Sequence, residues 1–203
     1  MRNVQQYIES GIIEAYVMGV ASDDEVKELE AFAISYPAIQ SAVNGYSLEL
    51  ELFALANPET PDPTVKPMVM ASIDYMQRLS NGEQPACPPL LSSASSLTDY
   101  SEWLDREDMK PNPNVTGLFA KIIGFTPTVT TAIVWLHDWA PQEVHHDEYE
   151  RFLIVEGTCD ITIGTQVHAL VAGDFLQIPL HVNHSIKVTS SYACKVVLQR
   201  VAA

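Results

Sequence analysis

From about residue 117 the chain is written in short β-rich runs at close, regular spacing, and this texture limits its second half more than any other feature. The runs at 129–135, 152–155, 160–163 and 185–189 are rich in β-branched and aromatic residues, and Gly124, Gly157, Gly164 and Gly173 punctuate several junctions. Runs of this length suit strands better than helices, and glycine provides the tight turns between them. The pattern predicts a small all-β sandwich or barrel over roughly residues 97–203.

The front of the chain is patterned differently. Ile8, Ile12, Ala15 and Tyr16 recur at helical spacing, and Gly19 closes this first predicted helix. Ser22 opens Ser-Asp-Asp-Glu, a capping box in which Glu25 reaches back to the cap, and Asp23 and Asp24 add negative charge where the helix dipole favours it. That second helix carries Val26, Leu29 and Ala33 and must stop before Pro37. A third is predicted from about Pro37 to Ala56, with Ile39, Val43, Tyr46, Leu50 and Phe53 on one face. A fourth amphipathic stretch covers 68–79. Residues 57–67 and 80–96 are rich in proline, serine and glycine and read as connectors. The organisation expected is α+β: a helical module over 1–80 whose fourth helix sits on a Pro-rich tether, a linker over 81–96, and an all-β module over 97–203.

Charge and histidine follow this division. The chain has 26 acidic and 11 basic side chains among 203 residues, a net charge of −15. Residues 1–80 hold 12 acids and 4 bases, a net −8, whereas 117–203 hold 8 and 5, a net −3. All six histidines (His137, His145, His146, His168, His181, His184) lie in the β-rich part. Direct nucleic-acid binding or attraction to an anionic membrane needs clustered Lys and Arg, so this balance argues against both and favours a basic partner. No run of about 18 apolar residues is present to span a bilayer. The opening MRNVQQYIES lacks the pattern of a secretory signal. Cys87, Cys159 and Cys194, odd in number and far apart, suit a reducing cytoplasm better than a disulfide scaffold. Cys159 and Cys194 read as small buried hydrophobes and Cys87 as exposed.

Two motifs sharpen the reading of the β-rich part. Glu150 is followed by six residues and Gly157. Gly173 is followed by five residues, Pro179, then His181 and His184. Their order, with Gly157 and Gly173 sixteen positions apart, resembles the paired motifs of RmlC-like cupins, although His181 stands where glycine is usual. The resemblance implies a jelly-roll barrel. In metal-bearing cupins it also implies that two ligands spaced by one residue precede the glutamate, so that both reach the same face. Counting four back from Glu150 selects His145 with Glu143. Counting three selects His146 with Val144, which loses a ligand. The candidate set is therefore Glu143, His145, Glu150 and His184, with His146 as the alternate, and its mixed imidazole and carboxylate donors suit Zn, Mn, Fe or Ni. A metal-free cupin, in which these groups line a small-molecule pocket or bond to one another, is the alternative. His137 and His168 fit no motif slot, and His181 reads as a turn residue. Trp103, Trp135 and Trp139 read as core or rim.

The helical front, from Gly11 through the capping box to Gln40, resembles the N-terminal domain of anti-sigma factors that restrain extracytoplasmic-function sigma factors. Zinc-containing members carry a His-x3-Cys-x2-Cys pattern at the end of the second helix. Here those positions are Phe32, Tyr36 and Ile39, so packing should replace metal. A module of this kind followed by a cupin resembles the ChrR-type cupin anti-sigma factors. That architecture implies a cytoplasmic transcription regulator whose acidic front binds a basic sigma factor and whose cupin senses a signal. The competing reading is a metal-dependent cupin enzyme of dioxygenase or isomerase type. No acid–base pair beyond the ligands can be placed near its site, and no catalytic residue is assigned. A third reading is an interaction platform that forms a homodimer through cupin edge strands.

Overall fold

The computed structural model describes residues 3–111 and 116–203. The chain divides into two compact units, Met1–Thr60 and Pro61–Ala203.

The first unit is built from α1 (Val4–Ile8), α2 (Ile12–Val17), α3 (Asp23–Ser35) and α4 (Pro37–Ala56). The single first helix expected from Ile8 to Tyr16 is instead split in two. Ser10 Oγ donates to the Tyr7 carbonyl at 2.6 Å, and Gly11 follows at φ 85°, a left-handed geometry that ends one helix and starts the next. The capping box of α3 is present: Glu25 Oε2 accepts from the Ser22 amide at 2.8 Å and Ser22 Oγ accepts from the Glu25 amide. Tyr7, Ile13, Leu29, Ile39 and Val43 form the core. Phe32 stacks between Tyr7 and Tyr36, with ring centroids 5.0 and 5.9 Å away, and Ile39 is fully buried. Thus two of the three positions of the anti-sigma zinc pattern, Phe32 and Ile39, carry packing contacts of the bundle core.

The second unit opens with α5 (Val65–Ser80) and then a long irregular segment. Within that segment lie short 3-10 turns at Leu97–Tyr100 and Glu107–Met109 and the single-turn α6 (Ser101–Leu104). Nine strands follow: β1 (Leu118–Phe125), β2 (Val129–Leu136), β3 (Trp139–Glu143), β4 (Glu148–Glu156), β5 (Thr158–Ile163), β6 (Gln166–Val171), β7 (Phe175–Ile178), β8 (His184–Val188) and β9 (Cys194–Ala202). They form two antiparallel sheets, ordered β1-β2-β9-β4-β7 and β3-β8-β5-β6. The architecture is α+β, and the β part is consistent with a jelly roll. The expected barrel is corrected to a sandwich, because among the described residues the two sheets do not close on each other through hydrogen bonds.

The larger sheet is covered on both faces, which explains why β2 reads as an almost unbroken apolar run. Ala132 and Val134 point inward with Phe152, Ile154, Val196 and Leu198, meeting Cys159, Ile161 and Leu170 of the other sheet. Their neighbours Ile133, Trp135, Leu153 and Val197 point outward into a second core with Leu91, Tyr100, Trp103 and Met109. The period-two alternation therefore divides apolar residues between two cores.

Two expectations about organisation differ from this structure. The fourth helix, grouped by sequence with the front module, belongs to the second unit: Ala71 and Tyr75 enter the inner core, and α5 packs on β1. Arg78 fixes it there, bonding Asp74, Glu83 and the Ile122 carbonyl, while Lys121 of β1 pairs with Asp74. The segment 81–96, expected as a linker, is a strap laid on the larger sheet. Leu91 is buried, Gln199 Oε1 accepts from its amide at 2.7 Å, and Gln199 Nε2 donates to the Pro89 carbonyl at 2.7 Å. Gly124 lets the strap approach, since a Cβ there would stand 2.2 Å from Pro88 Cδ.

No helix of the described residues is long and apolar enough to cross a membrane.

Candidate metal centre

The four residues selected by motif spacing converge. Glu143 ends β3 and lies opposite His184, the first residue of β8, across an antiparallel pair interrupted by a bulge. Glu150 is the third residue of β4, paired with Ile178 on one side and Arg200 on the other. His145 lies in the turn between β3 and β4, off the regular strand. Strand alternation therefore accounts for Glu150 and His184, whereas the turn aims His145.

Donor atoms from Glu143, His145, Glu150 and His184 all lie within 4.8 Å of one another. His184 Nε2 is 3.0 Å from Glu150 Oε2. His145 Nε2 is 3.5 Å from the same oxygen and 3.7 Å from Glu143 Oε2. Glu150 and His184 are 4% exposed, so the cluster is sealed on its inner side. His146, the alternate ligand, is exposed and lies outside the cluster. The choice between the two registers is settled by geometry.

Arg200 completes the site and escaped the sequence reading. Its Nε stands 3.2 Å from Glu150 Oε1 and 3.5 Å from Glu148 Oε1, and its Nη2 stands 3.4 Å from Glu143 Oε2. The signal was available in principle: Val196, Leu198 and Arg200 share one face of β9, so a charge continues an inward apolar row. Burial raises the Glu150 carboxyl, but hydrogen bonds to His145 and His184 and the Arg200 charge outweigh it and hold the pKa at about 2. The hydrogen bond to Glu150 lifts His145 above its ordinary value, against burial and Arg200. Burial lowers the Arg200 guanidinium, and the three carboxylates more than restore it.

The residues fit a divalent cation on two grounds. His145 Nε2 and His184 Nδ1 are buried with no hydrogen-bond partner, and His145 Nε2 faces two carboxylate oxygens. A buried imidazole nitrogen left in this way is costly unless something else engages it. In addition, three carboxylates against one guanidinium leave a local charge of about −2 with neutral imidazoles, which a divalent ion balances. Separations of 3.5–3.7 Å around His145 Nε2 are close to the roughly 3.4 Å between ligand atoms in a tetrahedron with metal–ligand bonds of about 2.1 Å.

A cavity of about 60 Å³ opens beside the cluster. A water needs about 10–15 Å³, so there is room for several waters or one small molecule. Glu143, Glu150, His184 and Arg200 form its polar end, the inner core forms its apolar wall, and Thr64 and Met68 of the α5 region also line it. Cys159 and Cys194 are buried in that wall. The thiol of Cys159 is held protonated by its hydrogen bond with Cys194 and by burial. Cys87 is exposed. Trp103 and Trp135 are core residues, whereas Trp139 at the start of β3 is 60% exposed.

The family model for the cupin domain matches residues 134–199, from β2 into β9. Several solved structures resemble the chain. A KdgF structure from Halomonas sp. is 17% identical, with 47% of this chain and 92% of that one covered, at a TM-score of 0.41. A cupin superfamily protein from Desulfitobacterium hafniense is 20% identical, with 46% and 84% covered, at 0.40. A predicted oxalate decarboxylase from Thermotoga maritima is 15% identical, with 42% and 81% covered, at 0.40. No curated protein matches the chain.

Proposed function

We propose that this chain, whose residues 134–199 form a cupin domain, is an anti-sigma regulator of the ChrR type. In this reading its acidic helical unit holds an extracytoplasmic-function sigma factor in the cytoplasm, and its cupin unit is a sensor that binds a divalent metal ion. The observation that carries the reading is the far half of α4. Every residue from 47 to 56 is exposed, among them Leu48, Leu50, Leu52, Phe53 and Leu55, with Phe53 at 66% and Leu55 at 69%. A helix apolar around most of its circumference is normally buried, and a contiguous apolar surface of this kind marks a protein interface. Its only charges are Glu49 and Glu51, and residues 1–60 carry ten acids against two bases, a net −8. The surface thus fits a partner that combines apolar grooves with basic rims, as a protein built to hold DNA phosphates does.

The test is co-purification of the full chain with the sigma factor encoded beside it. Retention of the pair is expected, and Leu52→Asp with Phe53→Asp should release the partner without lowering the melting temperature, since both positions are exposed. A wild-type protein that retains no sigma factor even at low salt would overturn the proposal.

A second reading, metal-dependent catalysis on a small anion, is favoured by the cavity. Its polar end pairs the cluster with Arg200, whose guanidinium suits a carboxylate. The metal would polarise a bound oxygen there. Turnover of a small carboxylate that disappears in Glu150→Gln would support this reading over sensing.

A further inference from the structure

We propose that His146 and His181 form a second metal site, an exposed bis-imidazole chelate for a late first-row divalent cation, Cu(II) or Ni(II), distinct from the Glu143–His145–Glu150–His184 cluster. The two rings meet Nδ1 to Nδ1 at 2.9 Å, with centroids 5.2 Å apart and planes inclined by 39°. Two neutral imidazole nitrogens at this separation need a cation or a proton between them, because each would otherwise direct a lone pair at the other. The separation also selects the cation. With metal–nitrogen bonds of about 2.05 Å, a spacing of 2.9 Å subtends an angle of about 90°, the cis angle of square-planar or octahedral coordination. A tetrahedron would need about 3.3 Å. Tetragonal nitrogen sites are those of Cu(II) and Ni(II), and the affinity order for imidazole places copper first.

The backbone supplies an independent observation. His181 has φ 60°, and it is the only non-glycine residue with positive φ among those described. It occupies the slot where the motif usually has glycine, so a side chain is kept where its absence would relieve strain. The turn that holds it is pinned by the His181 amide, which donates to the His145 carbonyl at 2.8 Å. That bond ties the loop carrying His181 to the loop carrying His146. Both rings are exposed, so the remaining coordination positions are open to water or to a ligand from solution. The inner cluster, by contrast, is buried and rich in carboxylate. The His145–His146 step therefore places neighbouring residues in two sites of different chemistry, one borderline and one selective for late metals.

Full-length protein stripped with a chelator is titrated with Cu(II), with stoichiometry read by equilibrium dialysis and coordination read by electron paramagnetic resonance. The wild type is expected to bind about one equivalent more copper than either His146→Gln or His181→Gly, and that equivalent carries the nitrogen coupling of two imidazoles. His181→Gly removes strain along with the ligand, so its melting temperature should equal or exceed that of the wild type, and loss of copper cannot then be assigned to misfolding. The proposal is overturned if both variants bind as much copper as the wild type. It is equally overturned if the wild type shows no two-imidazole signal, which would leave the pair as an N–H···N hydrogen bond. Neither result depends on whether a sigma factor is captured.

Discussion

Replacing Arg200 with methionine should change stability and metal affinity in opposite directions. In the metal-free chain the guanidinium stands 3.2–3.5 Å from carboxylate oxygens of Glu143, Glu148 and Glu150. Glu150 is almost fully buried, so it would be left facing two other carboxylates. Breaking a fully buried pair costs about 3–5 kcal/mol, and the partial exposure of Arg200 reduces this to about 1–3 kcal/mol. With a divalent ion the sign reverses. An ion about 2.1 Å from those oxygens lies within about 5.5 Å of the guanidinium. Even with the dielectric of bulk water, a +2 and a +1 charge at that distance repel by about 1.5 kcal/mol, roughly tenfold in affinity. Chelator-treated Arg200→Met should therefore unfold at lower urea than the wild type, yet bind Zn(II) or Mn(II) at least about tenfold more tightly in calorimetry. A variant that binds these ions no better than the wild type would refute the electrostatic account of the site. It would return the cluster to a metal-free ion network in which Arg200 itself is the cation.

Other consequences of the structure are simpler to check. Gln199→Leu should lower unfolding free energy by about 2–4 kcal/mol, because the Leu91 amide and Pro89 carbonyl lose a buried partner; a change under about 0.5 kcal/mol in urea denaturation would contradict the strap's anchoring. Gly124→Ala should cost about 1–3 kcal/mol, and limited proteolysis should then cut within 81–96, which stays protected in the wild type. Burial raises the Asp74 carboxyl, but Lys121 and Arg78 more than offset it. Arg106 and Arg78 likewise hold Glu83 below its ordinary value. Because both folded values lie below the unfolded ones, their contribution is present above about pH 4 and fades as pH falls through the lower folded values. Hydrogen exchange should show α5 loosening from β1 below about pH 4, and Lys121→Met should move that loosening to higher pH; coincident profiles would count against the ion network.

The parts of this molecule legible in its sequence are those set by local rules. The Ser22–Glu25 box and the stop before Pro37 need only a few neighbouring residues, and both are present. The inner metal cluster was legible because alternation along β4 and β8 places Glu150 and His184 on one face. Long-range geometry decided the rest. Residues 81–96 are poor in regular structure, which reads as a linker, yet their amides and carbonyls are satisfied by Gln199 and Arg151, about a hundred and sixty residues apart respectively from their partners at the extremes of the strap. Composition carries no trace of such partners. The amphipathic face of α5 specifies that it packs on something without saying what, and the nearest helices in sequence were the wrong choice. Arg200 was missed because a charge near the end of an apolar strand ordinarily points to solvent, and only its register opposite Glu150 turns it inward.

The reassignment of α5 changes how a sensor of this composition can work. If the fourth helix belonged to the front module, the cavity would be walled by strands alone, and its contents would reach the rest of the chain only through rigid sheets. Instead Thr64 and Met68 line the cavity, and the boundary between the units falls at Thr60 and Pro61, a few residues earlier. The segment that joins the units therefore runs directly into the cavity wall. The rest of α5 is held by Arg78 and by Ala71 and Tyr75 in the core, whereas its first turn has no side-chain cap. Of the whole helix, the end nearest the connector is the least constrained. A ligand or ion that repositions Met68 would act on that end first. Coupling then requires only a local change of the helix start, with both sheets left as they are, and the differential contact that any ligand-driven switch needs is already present at Met68.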